Sequence, residues 1–480
     1  MTELTAGLPG MLADRRPRIV VIGDAILDEW LSGRANRLCR EAPAPVVDVA
    51  RRTVAPGGAA NTAVNLAALG ADVRLVTAVG DDEGGRELVA ELESAGVRTD
   101  GVTLEPGRRT VAKRRIVAAE QVMLRVDEGD HHPLPAAEVR AALSDCDAVV
   151  LCDYGLGALD GGLLETLMPV RDDIPLLVVD AHRVDRWRAL RPDLVTPNAE
   201  EAAALLDDPL PAEPGKRASF LAVRGDRLRE ATGAGTVVVT IDRDGAILLP
   251  EGEPTYRTWA DPAPDSQTTG AGDTFCAALT VARCCGLSWT LSVELAQAAA
   301  DVVVHRPGTA VCTVGGLTER LASFHGAALD APQLAAVVRE HRAAGRRIVF
   351  TNGCFDVVHR GHVAYLNQAK ALGDVLVVAI NSDASVAKLK GPGRPVNTAA
   401  DRAAVLAALS CVDHVTVFDE RKPVELLRLL RPEIYAKGGD YTPEMLAETG
   451  VVRAYGGEVK ILDYVPDHST SAVIERIRSG

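Results

Sequence analysis

Thr268-Thr269-Gly270-Ala271-Gly272-Asp273-Thr274 leads straight into an apolar, helix-forming stretch, residues 274–285. Small residues at Gly270, Ala271 and Gly272 let backbone amides turn toward an anion. The N-terminus of the following helix adds a partial positive charge. Such an anion hole stabilises a phosphoryl group in transfer. Asp273 stands at the helix start, where a carboxylate either caps the helix or takes a proton from an attacking hydroxyl. Upstream residues favour the second role. Gly23-Asp24 ends a buried apolar strand, and Pro56-Gly57-Gly58-Ala59-Ala60-Asn61 is a Gly-rich turn entering another helix. Thr196-Pro197-Asn198-Ala199-Glu200 closes a further strand with an amide and a carboxylate. Ligands of open α/β sheets bind at such strand ends.

Short apolar runs recur at residues 18–24, 73–79, 148–152, 176–180, 194–196 and 237–241, with helical patterns such as 59–69 and 83–95 between them. Strand–helix alternation predicts an α/β fold with a doubly wound, mainly parallel sheet. Residues 44–54 and 110–126 break the rhythm and read as extended strands, a small β lid over the mouth of the sheet. A second βα series begins at residue 347, with strands expected at 375–380, 414–418, 433–436 and 459–462. Its helices are expected at about 362–372, 400–408 and 423–430. This second unit reads as a Rossmann-like domain. The expected division is 15–320, a helical linker over 321–344, and 345–480.

The second unit opens on Thr351-Asn352-Gly353-Cys354-Phe355-Asp356-Val357-Val358-His359-Arg360-Gly361-His362. His359 and His362 are three apart at a helix start, so they share one face. Two imidazoles there can donate to the phosphates of a nucleoside triphosphate and stabilise a pentavalent transition state. Zinc is the rival reading. It normally wants three or four protein ligands, and no Cys/His cluster of suitable spacing follows. No metal site is expected.

Together, the signatures of residues 15–320 resemble the ribokinase-like (PfkB) carbohydrate kinases. The resemblance implies ATP as donor and Mg2+ as its companion. It implies that Asp24 and Asn61 hold sugar hydroxyls, with Gly57 and Gly58 allowing close backbone approach. Asn198 and Glu200 would lie near the magnesium–phosphate water network. Gly270, Ala271 and Gly272 would form the anion hole, and Asp273 would be the base.

The second unit resembles the cytidylyltransferase-like nucleotidyltransferases, whose His-x-Gly-His signature stands at His359, Gly361 and His362. The likeness extends to Asn381-Ser382-Asp383, to Lys388-Leu389-Lys390-Gly391 and to Arg394-Pro395-Val396-Asn397. It continues through Lys437-Gly438-Gly439-Asp440 and Ser469-Thr470-Ser471, which precede a terminal helix. It implies nucleotide contacts from these segments and from Asn352, Gly353, Phe355 and Asp356.

From about residue 18 to 477, the whole chain resembles the bifunctional heptose enzymes of ADP-heptose synthesis. These join a heptose 7-phosphate kinase to a heptose 1-phosphate adenylyltransferase in this order. Gly23-Asp24-Ala25-Ile26-Leu27-Asp28 and Arg40-Glu41-Ala42-Pro43-Ala44-Pro45-Val46-Val47 carry the specific likeness. The resemblance implies both reactions, with a separate phosphatase acting between them. The kinase half departs from the pattern. Gln267 stands where an acid is expected, Leu156 where a lysine is expected, and Asp180-Ala181-His182-Arg183 replaces Asp-Pro-Lys. Arg183 or Arg186 would be the substitute cation. Two alternatives stay open. The same folds can act on another sugar phosphate, or the first unit can be a non-catalytic support for an active adenylyltransferase.

The bulk numbers agree with this outline. Of the 480 residues, 47% are hydrophobic but only 4% aromatic, which suits sheets of Val, Leu and Ile covered by helices. A net charge of −14 argues against a general nucleic-acid binder. Nine cysteines with no Cys-x-x-Cys pair read as scattered thiols in a reducing cytoplasm. No segment reaches the roughly 18 apolar residues of a membrane span. A soluble, cytoplasmic homodimer is expected, paired through the lid strands, whose edges otherwise stay open.

Overall fold

Strand β1 (Arg18–Gly23) carries the logic of the first sheet. Ile19 and Val21 enter one apolar cluster, Val20 and Ile22 the other, and all four are buried. Side chains alternate along a strand, so a run apolar at every position must be covered on both faces. The computed structural model describes residues 4–119, 121–211, 213–260, 270–305, 309–325, 328–391, 393–438, 442 and 445–462. It divides into two compact units, Met1–Leu321 and Ala322–Gly480.

After β1, the first unit contains β2 (Ala25–Leu38), β3 (Pro45–Gly58), β4 (Asp72–Gly80), β5 (Arg98–Glu105), β6 (Ala112–Ala118) and β7 (Gln121–Glu128). Then come β8 (Ala148–Asp153), β9 (Leu177–Ala181), β10 (Leu194–Val195), β11 (Thr236–Thr240), β12 (Ala246–Pro250) and β13 (Tyr256–Arg257). The main sheet runs β13-β12-β11-β10-β9-β8-β1-β4-β5. It is parallel from β11 to β5, and β12 and β13 add an antiparallel edge. Strand order reverses beside β1. The residues that follow β1 and β8 therefore meet at a switch point, where such sheets bind ligands.

The lid is a separate sheet in the order β3-β2-β6-β7. The extended stretches expected at 44–54 and 110–126 are β3 and the β6–β7 hairpin. The long strand β2 between them was not expected from the sequence. Cross-strand ion pairs hold the lid together. Glu29 on β2 is buried between Arg52 and Arg114, and Asp28 accepts from Arg115 at 2.6 Å.

The second unit has β14 (Ala328–Leu329), β15 (Ile348–Gly353), β16 (Val375–Asn381), β17 (His414–Phe418), β18 (Ile434–Gly438) and β19 (Glu458–Leu462). All pair in parallel, in the order β14-β17-β16-β15-β18-β19. The order reverses at β15, which places a second switch point between β15 and β18. The stretch 321–344 is not a bare helical linker. β14 joins this sheet, and the helix Ala331–Ala343 adds Leu334, Ala335 and Val338 to its core. Among the described residues, no helix is long and apolar enough to cross a membrane.

Candidate active sites

In the first unit the helix Ala271–Cys284 starts at Gly270, whose φ of 82° lies in the left-handed region. A Cβ there would stand 2.8 Å from Asn61 Nδ2, so both conformation and space require glycine. First-turn amides of a helix have no partner within it. Those of Ala271 and Gly272 border a cleft of about 580 Å³, shared with Asn198, Glu200, Arg217 and Gly245. Ala271 and Gly272, expected in the anion hole, thus line one cavity with Asn198 and Glu200, expected near a phosphate network. Asn198 also caps the helix Ala199–Leu206, in a reciprocal box with Glu201.

Asp273 sits one turn into its helix, partly buried. Asn61 Nδ2 donates to its Oδ2 at 2.6 Å, and the Tyr154 hydroxyl lies 3.0 Å from its Oδ1. Burial, and then the negative charge of Asp180, push its carboxyl up to about 7. Asn61 is itself oriented by Asn65, which donates to its Oδ1 at 3.0 Å. Asn61 was expected on a sugar hydroxyl, but the structure puts it on the carboxylate of Asp273.

Asp24 is likewise engaged. Its oxygens accept the backbone amides of Tyr154 (2.9 Å), Leu156 (3.1 Å) and Ala158 (2.9 Å). It thereby shapes the loop after β8. Gly57 and Gly58 do mark close approaches. A Cβ on Gly57 would meet Asp28 Oδ2 at 2.5 Å, and one on Gly58 would meet the Asp24 carbonyl at 2.5 Å.

Both candidate substitutes for the missing lysine have partners within the protein. Arg183 pairs with Asp185, and Arg186 is held by Asp153, Asp160 and the Leu159 carbonyl. Beside them stands His182, 2.7 Å from Glu201 and edge-on to the Tyr154 ring at 5.5 Å. The Glu201 contact raises its pKa, while the charge of Lys113 on β6 opposes this. Sequence reasoning did not single out Tyr154, Asp180 and His182, which surround Asp273. The Asp180-Ala181-His182 string was the available signal. Gln267 lies outside the described residues.

In the second unit the expected residues gather at the carboxyl ends of β15, β16 and β18. Lys437 Nζ spans the switch point to Asn352, 2.9 Å from its Oδ1, and Tyr435 donates to the same oxygen at 2.8 Å. Gly353 and Gly438 leave room for aromatic rings. A Cβ on either would come within 2.9 Å of Phe355 or Tyr365 respectively. Phe355 has a φ of 44°, a strained value for a non-glycine residue, at the turn into the His motif.

His359 precedes the helix Arg360–Lys370 at its N-cap position without a side-chain capping bond, Gly361 is at the second helical position, and His362 follows on the same face. Their rings stack at 3.8 Å between centroids, and Phe355 lies 5.1 Å from His362. Burial, with the charges of His359 and Lys390, pushes His362 down to about 4. It is therefore neutral at pH 7. No group of three or more metal-ligating side chains occurs among the described residues.

Several residues expected at the nucleotide also bind within the protein. Asp356 is buried against Arg394 and the Val396 amide (2.6 Å), a pair that shapes the loop 394–397. Burial alone would raise the Asp356 pKa, but the Val396 amide and Arg394 hold it below the ordinary range. Asp383 accepts from Arg402 at 2.7 Å. Asn381 donates to Ser385 and to the Glu420 carbonyl. Arg402 was not foreseen. It is 1% exposed and also binds the Cys354 and Asn397 carbonyls, tying the motif turn to the loop 394–397. Asp440, Ser469, Thr470 and Ser471 lie outside the described residues.

Residues 16–314 match the pfkB family carbohydrate kinase model, and residues 350–476 match the cytidylyltransferase-like model. The chain is 37% identical to the bifunctional protein HldE of Wolinella succinogenes, over 97% of this chain and 98% of that protein. It is 39% identical to HldE of Hahella chejuensis, over 96% and 97% respectively. A ribokinase from Cryptococcus neoformans in complex with ADP superposes with a TM-score of 0.53 at 22% identity, covering 63% of this chain and 99% of that one. Escherichia coli phosphofructokinase-2 does so with a TM-score of 0.53 at 18% identity, covering 64% and 99%. At such identities the structural likeness speaks to fold alone.

Proposed function

The chain belongs to the family of bifunctional HldE proteins, a carbohydrate kinase joined to a nucleotidyltransferase, and from that premise we propose that it catalyses two steps of ADP-heptose synthesis. In the first, ATP phosphorylates O1 of D-glycero-β-D-manno-heptose 7-phosphate. In the second, heptose 1-phosphate attacks the α-phosphorus of ATP and gives ADP-heptose and pyrophosphate. The 7-phosphate must leave in between, a hydrolysis that falls to a separate phosphatase. The work is done in the cytoplasm, where ATP is supplied and buried thiols such as Cys152 and Cys276 stay reduced.

The observation that carries the kinase reading is the contact of Asp273 with Asn61 beside the Gly270 helix start. Asp273 takes the proton of the attacking hydroxyl. The Ala271 and Gly272 amides receive the charge of the transferring phosphoryl group. Mg2+ bound with the nucleotide would screen its phosphates. Glu200, on the wall of the same cleft, suits it through water, the usual mode for a cation that keeps its hydration. Lys113 and His182 supply positive charge for the 7-phosphate. In the second unit, His359, His362, Lys390 and Lys437 stabilise the pentavalent α-phosphorus. No covalent nucleophile is needed, because the acceptor is itself a phosphate oxygen.

Asp273 must be ionised to act, and its carboxyl lies at about 7. The kinase rate should therefore rise with pH through about 7, falling tenfold per unit well below it. Adenylyl transfer should lack that limb. Rate–pH profiles of the two reactions on one preparation check this. A kinase rate flat from pH 5 to 8 would contradict the assignment.

The homodimer is supported by the lid. β3 and β7 are its edges, and they expose Val49 (50%), Val122 (59%) and Leu124 (55%). Two lids pairing would cover these side chains and the open edges. Light scattering at micromolar concentration should give a dimer, and Leu124→Asp should give monomers. A monomeric wild type would refute the pairing.

The test of the whole reading is incubation of the purified protein with ATP and a panel of sugar phosphates. ADP and pyrophosphate are measured, and products are identified by mass spectrometry. Phosphorylation of a different sugar phosphate alone would replace the substrate. Adenylyl transfer with no phosphorylation of any sugar would reduce the first unit to a support.

A further inference from the structure

The Tyr154 hydroxyl stands between two carboxylates, 3.0 Å from Asp273 Oδ1 and 2.8 Å from Asp180 Oδ2. A phenol has one proton and can donate to only one of them. The other contact is a hydrogen bond only if that carboxyl carries a proton and donates to the phenol oxygen. The chain Asp273–Tyr154–Asp180 is thus fully satisfied when it holds one extra proton. A sugar hydroxyl attacking ATP releases one proton at this place.

We infer that Tyr154 and Asp180 complete the base, with the proton taken by Asp273 passing through Tyr154 to Asp180. The inference rests on the kinase reading above. The hydroxyl O–H bond breaks as its oxygen bonds to the γ-phosphorus, and the bridging P–O bond breaks to release ADP. The proton arrives on Asp273. Asp273 then gives a proton to the Tyr154 oxygen while the Tyr154 proton moves to Asp180. Tyr154 stays neutral throughout, and Asp273 is regenerated as a carboxylate. Tyr154 and Asp180 act through Asp273, so they are positioning residues.

The surroundings fit this traffic. The Tyr154 backbone amide is fixed by Asp24, and its ring is flanked by His182. Burial raises the pKa of Asp180, so it can hold a proton. Burial, with the nearby Asp180 and Asp273 charges, raises the Tyr154 phenol well above its ordinary value, so it does not ionise. Asp273 faces Asp180, Asn61, Tyr154 and Asp28. Asp180 faces Tyr154, Glu201, His182 and Thr196, whose hydroxyl donates to its Oδ1 at 3.1 Å. Buried Cys152 and Cys276 also lie near Asp180 and Asp273.

The experiment is single-turnover phosphorylation by the full-length wild type, Tyr154→Phe and Asp180→Asn, across pH and in mixtures of H2O and D2O. The wild type should show a curved proton inventory, because more than one proton moves. Tyr154→Phe should be slower by roughly tenfold to a hundredfold, part of the 100- to 10,000-fold of positioned acid–base catalysis, with little change in KM. Its inventory should be linear. The two variants should shift the pH limb in opposite senses. Asp180→Asn moves it down by removing a negative charge. Tyr154→Phe moves it up by removing a donor to ionised Asp273. A merely structural role would produce neither the opposed shifts nor the change in inventory. If Tyr154→Phe fails to fold, judged by its melting temperature, Asp180→Asn and the wild-type inventory carry the test. Wild-type rates in Tyr154→Phe, or a linear wild-type inventory, would overturn the relay while leaving the kinase intact. If the wild type phosphorylates no sugar, the kinase reading falls and the relay with it.

Discussion

Asp273→Asn is expected to abolish phosphorylation and leave adenylyl transfer to supplied heptose 1-phosphate at the wild-type rate. The substitution keeps the size and shape of a side chain that meets Asn61 at 2.6 Å and Tyr154 at 3.0 Å. An amide cannot take up the hydroxyl proton. Losing a positioned base costs on the order of 100- to 10,000-fold. The second site belongs to a different compact unit with its own sheet, so its chemistry should not respond. Both rates are measured on one preparation, with the melting temperature as a check on folding. Phosphorylation by Asp273→Asn at the wild-type rate would falsify the assignment of the base.

The reciprocal experiment removes the histidines. His359→Ala or His362→Ala should lower adenylyl transfer far more than ATP affinity, because the donors act on charge that develops in the transition state. Each should cost about 3 kcal/mol, roughly a hundredfold or more. The geometry sharpens the expectation for His362. Its ring is stacked on His359 at 3.8 Å, and its pKa lies near 4. It therefore acts as a neutral donor, and its titration should not limit turnover between pH 6 and 8. A structural zinc predicts different results, namely loss of melting temperature in the mutants and stoichiometric metal in the wild type. Undiminished turnover in the double mutant would end the nucleotidyl-transfer reading of this motif.

Much of this was legible in the chain itself. Runs apolar at every position, such as residues 19–22, demand a strand covered on both faces. Their alternation with helical stretches demands a parallel sheet. The Gly270–Asp273 and His359–His362 strings announced phosphate chemistry because only small residues and closely spaced donors suit an anion beside a helix start. Local patterns of this kind depend on neighbours in sequence, so they survive without coordinates. The strand Ala25–Leu38 escaped because its apolar run stops early and its end, residues 34–38, is exposed, and its extended form rests on pairing with β3 and β6.

Partners distant in sequence were not legible. The resemblance to carbohydrate kinases implied sugar contacts for Asp24 and Asn61, and their partners within the protein could not be read from the chain. Only the folded chain brings the 154–158 amides to the first and Asp273 to the second. Asp356 and Arg394, for which the resemblance implied nucleotide contacts, also bind one another. Tyr154 gave no local signal, since its role arises from two carboxylates that arrive 26 and 119 residues away along the chain. Sequence by itself determined the two folds, their order and the two glycine-bearing turns into helices, because these follow from periodicity and short-range backbone geometry. Tertiary structure alone decided which polar side chains are already satisfied by the protein and which remain to meet a substrate. Hydrogen-bond satisfaction is a property of neighbours in space.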